Sequence, residues 1–244
     1  MTDPSAFLID MHGIGFAPDG VPVLTDIGLR SNARRIGVVG RNGSGKTTFA
    51  RILAGLIAPD TGKVRIAGID VGKDRKAALG VVGILFQNPD HQIIFPTVEE
   101  EIAFGLLQQQ HPKADVSKIV EDTLASFGKS HWAKAAIHQL SQGQRQLVCL
   151  MSVLAMRPKV IILDEPFAGL DIPTTLQLQR TLDAIDLTLV HITHDPNVLT
   201  GYDEVLWIDQ GKPEMFGAVA QVLPAFQNRM NQIGASDDLS DLTG

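Results

Sequence analysis

Four stretches of the chain, residues 36–39, 81–86, 160–163 and 187–193, are almost unbroken apolar runs. This is the pattern of parallel strands covered on both faces, rather than of a sheet with one wet side. Residues 6–12 and 21–30 are β-rich, and the turn Pro18-Asp19-Gly20 between them predicts a hairpin. A third such piece, residues 62–68, alternates apolar and polar positions between glycines, which predicts a small antiparallel layer built from all three. From Asn88 to Met156 the spacing turns helical, with turns expected near Lys113-Ala114-Asp115 and Phe127-Gly128-Lys129. The expectation is an α/β core with an antiparallel β subdomain and a helical subdomain at about residues 88–156. Past Val219 the apolar pattern fades, and Ser236 to Asp241 is polar and acidic. One domain over residues 1–225 is therefore expected, followed by a loosely ordered tail over 226–244.

Composition narrows the function. A chain of 244 residues can bury a substantial core. Its formal net charge of -6, without a block of basic residues, argues against sequence-independent nucleic-acid binding, which needs many phosphate-neutralising side chains. A single cysteine, Cys149, excludes an internal disulfide framework and fits a reducing compartment. Asp3 and Asp10 stand where a secretory leader would be basic. The most apolar window, Leu147 to Met156, has about half the length that crosses a bilayer, so any membrane contact is expected to run through a partner.

The chemistry concentrates in Gly40-Arg41-Asn42-Gly43-Ser44-Gly45-Lys46-Thr47-Thr48, set between an apolar strand and an amphipathic run. Its glycines let the backbone turn tightly, so that consecutive N–H groups and the positive end of the following helix point at one anion. Lys46 is placed for the β- and γ-phosphates and the Thr47 hydroxyl for Mg²⁺, which predicts a phosphate-loop nucleoside triphosphatase. The strand 160–163 runs into Asp164-Glu165-Pro166. Strand ends of this kind face ligands in open parallel sheets. Asp164 can hold Mg²⁺ through water, while Glu165 is free to polarise the water that attacks the γ-phosphate. The last strand ends at His194, which can bond a γ-phosphate, whereas His191 points to the opposite face and is expected to be packed. In Leu140-Ser141-Gln142-Gly143-Gln144, Ser141 reads as the N-cap of an apolar helix and the turn as a second anion site. An ordinary capped helix fits that stretch equally well.

The order of these pieces, with Gln87 after a strand and Gly169-Leu170-Asp171 after the acidic pair, resembles the nucleotide-binding subunit of ABC transporters over roughly residues 6–222. Phe86-Gln87-Asn88-Pro89-Asp90-His91-Gln92, followed by Pro96-Thr97-Val98-Glu99-Glu100-Glu101 and Ala103-Phe104-Gly105, is similar to the ATPases of energy-coupling-factor (ECF) transporters. The resemblance implies a RecA-like core and a second ATPase subunit, identical or closely homologous, with each ATP held between the phosphate loop of one copy and Ser141, Gly143 and Gln144 of the other. It implies that Gln87 touches Mg²⁺ and the attacking water, that Asp171 lies at the dimer seam, and that Glu165, His194 and Gln87 are the catalytic set. It further implies a transmembrane coupling subunit and a substrate-binding membrane subunit, a place at the cytoplasmic face of the membrane, and a micronutrient cargo, biotin or another vitamin ahead of cobalt or nickel. Glu99, Glu100 and Glu101 suit an arginine of the coupling subunit, although Thr97 and Glu100 also read as a capping box. Two departures stand out. Gln142 replaces the family's usual glycine, and Ala17 stands where an adenine-stacking aromatic is expected, leaving Phe16 as stacker or as core residue. A soluble ABC ATPase of DNA repair or translation is the alternative, but the chain shows neither a coiled-coil insertion nor a second ATPase copy. A phosphate-loop GTPase lacks support because no Asn/Thr-Lys-x-Asp motif occurs.

Overall fold

In the computed structural model, which describes residues 7–236, the expected hairpin forms between β1 (Ile9–Phe16) and β2 (Leu24–Ser31), antiparallel with Ile9 opposite Ser31. The first apolar run becomes β3 (Arg35–Val39), and the loop after it opens α1 (Lys46–Leu53). β4 (Thr61–Ile66) lies along the other side of β1, and the short β5 (Ile69–Asp70) extends that layer to the order β2-β1-β4-β5. One turn of helix, α2 (Arg75–Ala78), leads to β6 (Val82–Leu85). Three longer helices follow: α3 (Val98–Gln108), α4 (Lys113–Ser126) and α5 (Gln142–Ala155). Then come β7 (Val160–Asp164), α6 (Ile172–Asp183), β8 (Thr188–Ile192), β9 (Glu204–Asp209), β10 (Lys212–Ala218) and α7 (Val219–Ser236).

The second sheet has the order β10-β9-β3-β8-β7-β6; all its neighbours are parallel except the edge pair β9–β10. From β3 the chain crosses to the far edge at β6, returns through β7 and β8, and then passes over β3 to β9, so the connections leaving the neighbours β3 and β8 run in opposite directions. That switch of direction opens a crevice at the carboxyl ends of β3, β7 and β8, where such sheets bind ligands. Ile36, Val38, Ile162, Val190 and Ile192 of this sheet share one core with Phe49 and Ile52 of α1 and Ile9, Met11 and Ile14 of β1. The helices close a separate core. Val98, Ile102 and Leu106 of α3, and Val116, Val120 and Leu124 of α4, repeat every four residues and meet Val148 and Met151 of α5.

Four expectations need correction. The tail expected from residue 226 begins instead as the last half of α7, where Val222 and Phe226 pack with Trp207, Leu199 and Val205, the Phe226 and Trp207 rings 5.5 Å apart. The exposed Pro224 inside that helix hides its apolar spacing; residues 237–244 lie outside the described residues. Lys113, Ala114 and Asp115 are the first turn of α4 rather than a break, because the helix enters from Pro112. β9 and β10, unexpected from the pattern, complete the parallel sheet and its antiparallel edge. The capping box at Thr97 does not form: its hydroxyl bonds the Glu100 carboxylate, and the Val98 and Glu99 N–H groups donate to the Ala135 and Ala133 carbonyls. A neighbouring chain segment thus takes the place of the side-chain cap.

Candidate functional site

The phosphate loop leaves β3 at Gly40, where a side chain would collide with the Ile208 carbonyl at 2.2 Å. It enters α1 through Gly45 at φ +95°, left-handed backbone that suits glycine. Lys46 is buried, and its Nζ donates to the carbonyls of Gly40 (2.8 Å) and Arg41 (2.9 Å), folding the ammonium back over its own loop. Burial pulls its pKa down, against the opposing pull of the Glu165 and Asp164 carboxylates.

Asp164 closes β7 in a buried position, where loss of water pushes its carboxyl up while a bond from Thr47 holds it down. The Thr47 hydroxyl lies 3.5 Å from Asp164 Oδ1. One hydroxyl and one carboxylate fit a magnesium ion that keeps phosphate and water ligands, and among the described residues no cluster of three acidic, histidine or cysteine ligands offers an all-protein cage. Buried Ser44 Oγ has no hydrogen-bond partner among the described residues and points within the loop that would wrap the phosphates.

Glu165 adopts φ +50°, an uncommon conformation for a side-chain-bearing residue, held by its N–H donating to the Ile192 carbonyl at 3.0 Å. That bond aligns the ends of β7 and β8 and brings His194 Nδ1 to 2.9 Å from Glu165 Oε2. A carboxylate can only accept, so Nδ1 carries the proton. Asn42, Gly43, Gly45, Lys46, Thr47, Thr48, Gln87, Glu165 and His194 all line one cleft of about 410 Å³. His191, by contrast, is packed: its Nδ1 lies 2.9 Å from the Tyr202 hydroxyl, Phe167 meets its ring edge-on, and burial lowers its pKa to about 4.

Phe16 is half-buried against the β-layer core and does not line this cleft. Val23 does, because its N–H donates to the Phe16 carbonyl at 2.8 Å and the turn lays it beside the loop. No sequence signal marks a valine in a turn, so reading the chain alone missed it.

Ser141, Gly143 and Gln144 lie elsewhere. Ser141 caps α5 in a full capping box: its hydroxyl accepts from the Gln144 N–H (3.3 Å), and Gln144 Oε1 accepts from the Ser141 N–H (2.8 Å). These residues line a small cleft of about 130 Å³ with Thr174, on α6. Asp171 caps α6 by accepting the Thr174 N–H (2.9 Å), and its hydrogen bonds with Thr174 hold its carboxyl below the usual carboxylate range. In one chain, then, the Ser141 turn and the phosphate loop belong to different clefts.

Glu101, one of three acids expected to meet a partner's arginine, is buried, and its Oε2 accepts from the N–H groups of Ile94 and Phe95, both at 2.9 Å. Glu99 pairs with Lys134, and Glu100 is exposed.

A family model described as ABC transporter matches residues 27–168. The chain is 49% identical to the biotin transport ATP-binding protein BioM of Rhodobacter capsulatus, over 89% of this chain and 93% of that protein. It is 36% identical to the energy-coupling factor transporter ATP-binding protein EcfA of Methanocaldococcus jannaschii, over 78% of this chain and 71% of that protein. In structure it is similar to cbiO1 from Clostridium perfringens, part of the ABC transporter complex cbiONQ, with TM-score 0.76, 26% identity and coverage of 94% of this chain and 95% of that one.

Proposed function

This chain belongs to the ABC transporter family, as the ATP-binding subunit of an importer of the ECF type and a P-loop ATPase by fold, and within that family we propose that it energises uptake of biotin through a sandwich dimer. The observation that carries the dimer is the separation of the two clefts: Ser141 and Gly143 are absent from the lining around Lys46, so they reach a γ-phosphate only from a second copy. The relative at 49% identity over nearly the whole chain supports biotin as cargo; a cobalt or nickel ion is the second reading, from the ECF-type resemblance of residues 86–105.

The chemistry follows from the residues. Lys46 exchanges the Gly40 and Arg41 carbonyls for phosphate oxygens, so an ammonium strained by burial regains a counter-charge. Magnesium, when bound at Thr47 and Asp164, neutralises charge on the phosphates. Glu165 accepts a proton from the attacking water, whose oxygen bonds the γ-phosphorus as the bridging oxygen leaves with ADP. His194 holds Glu165 in place through its Nδ1–H and leaves the other ring nitrogen for the γ-phosphate. Gln87, in the same cleft lining, orients the water, and Asp171 meets the other copy at the seam. Phe16, whose carbonyl accepts from the Val23 N–H of the cleft lining, is the proposed adenine stacker. Loss of the γ-phosphate removes the bridge between copies and lets them part, which turns hydrolysis into movement.

The membrane partners are a coupling subunit and a substrate-binding subunit, with this chain on the cytoplasmic face. No described helix is long and apolar enough to cross a membrane. An apolar groove of about 390 Å³, lined by Leu56, Leu79, Ile84, Met156 and Phe86, the residue before Gln87, suits a partner's helix. Copurification with the membrane subunits, followed by ATP-driven uptake of labelled biotin into proteoliposomes, tests this reading. Uptake that fails for biotin but proceeds for Co²⁺ or Ni²⁺ would replace the cargo and keep the machine.

A further inference from the structure

Gln142 and Gln146 stand one turn apart on the same face of α5. Gln146 is 1% exposed, and its Nε2 donates to the carbonyls of Phe86 (3.0 Å) and Pro166 (3.4 Å). Carbonyls only accept, so both partners require the amino end of the amide, and chemistry fixes its orientation. Its Oε1 is buried without a hydrogen-bond partner among the described residues. An apolar side chain would avoid that uncompensated desolvation, so the two donated bonds are what the glutamine contributes.

Gln142 Nε2 donates to the Ala168 carbonyl at 3.4 Å and lies against Gly169. The Ala168 N–H in turn donates to the Glu165 carbonyl at 3.1 Å, closing the turn in which Glu165 holds its left-handed backbone. Two amides on one helix face therefore reach the residue before Gln87 and two residues of the turn that carries Glu165. A backbone in so uncommon a conformation persists only when its surroundings hold it.

From this geometry we infer that Gln142 and Gln146 are positioning residues, a two-point clamp that makes the Glu165 turn and the Gln87 strand end move as one body with α5. The inference rests on the reading of Glu165 as base and of the α5 start as the contact to the other copy's γ-phosphate. Its consequence is that closure of the second copy's nucleotide onto α5 sets the carboxylate of the same chain, linking the two ATP sites.

The test uses the full chain with Mg-ATP, comparing Gln142→Glu, Gln146→Met and the double variant; each removes a donor at nearly constant volume. Each single change is expected to lower kcat about 10-fold, as sub-ångström misplacement of a reacting group does. Binding of a fluorescent ATP analogue should stay within roughly twofold, and the double variant should be no slower than the slower single, because one release frees the whole turn. Gln142→Lys, which keeps a donor, should retain most of the rate. Multiplying losses in the double variant, or losses that track nucleotide binding or thermal stability, would overturn the clamp. Gln142 is exposed, so an unchanged kcat in Gln142→Glu alone also overturns it, even where Gln146→Met does not fold. Glu165→Gln is run alongside: wild-type turnover there would remove the base assignment itself, a separate failure from an unaltered glutamine variant.

Discussion

At the scale of single residues, the site holds charges under burial that a ligand relieves. Lys46 Nζ bonds the carbonyls of Gly40 and Arg41 over the loop that would wrap the phosphates, so Lys46→Ala should bind ATP at least about 10-fold more weakly while keeping the fold, as titration calorimetry would show. Asp164 carries a raised pKa because burial disfavours its charge. The folded state therefore binds the proton more tightly than the unfolded chain, so stability falls as pH rises from the usual carboxylate range through the folded value. Asp164→Asn should therefore raise the melting temperature of the nucleotide-free protein at neutral pH, with the gain vanishing toward acid, while Mg-dependent hydrolysis is lost. His191 has the opposite sense, since burial lowers its pKa to about 4. The folded state binds fewer protons than the unfolded one, so the stability its neutral ring contributes is lost as pH falls from about 6.5 through about 4. That loss should amount to roughly 3 kcal/mol and shrink in His191→Phe, as acid unfolding curves would reveal.

Individual elements show how far the amino-acid pattern can be read. The phosphate loop, the acids at the end of β7 and the histidine after β8 were legible because their chemistry is local: glycines for a turn, a lysine at a helix start, carboxylates at a strand end. The elements that were missed depend on distant partners. α7 is interrupted in sequence by Pro224 and becomes recognisable only when Val222 and Phe226 find Trp207. β9 needs β3 beside it, and β10 has almost every side chain exposed, so neither announces a face. Val23 enters the nucleotide cleft through the register of a hairpin, and Gln146 matters through carbonyls 60 and 20 residues away. Because α7 is part of the core and not a tail, Phe226→Ala should cost about 3–5 kcal/mol in urea unfolding, the range for truncating a buried aromatic. Ile102→Ala in α3 should cost about 2–5 kcal/mol. Its effect should fall on the helical core, so hydrogen exchange would rise in α3, α4 and α5 ahead of β3 and β8.

At the scale of the whole molecule, the proposed dimer makes each chain half of an ATP site. One face carries the phosphate loop with Glu165 and His194, another carries the capped turn at Ser141, and among the described residues the two line different clefts. Ile172, 77% exposed directly after Asp171, adds an uncovered apolar side chain where the two copies would meet. The most direct measurement is the mass of the Glu165→Gln protein by light scattering, alone and with its membrane subunits, in the presence of Mg-ATP and of Mg-ADP. The account predicts a dimer of the ATPase chain that persists with ATP and dissociates with ADP. A mass that stays that of one copy under saturating ATP, in both settings, would contradict it.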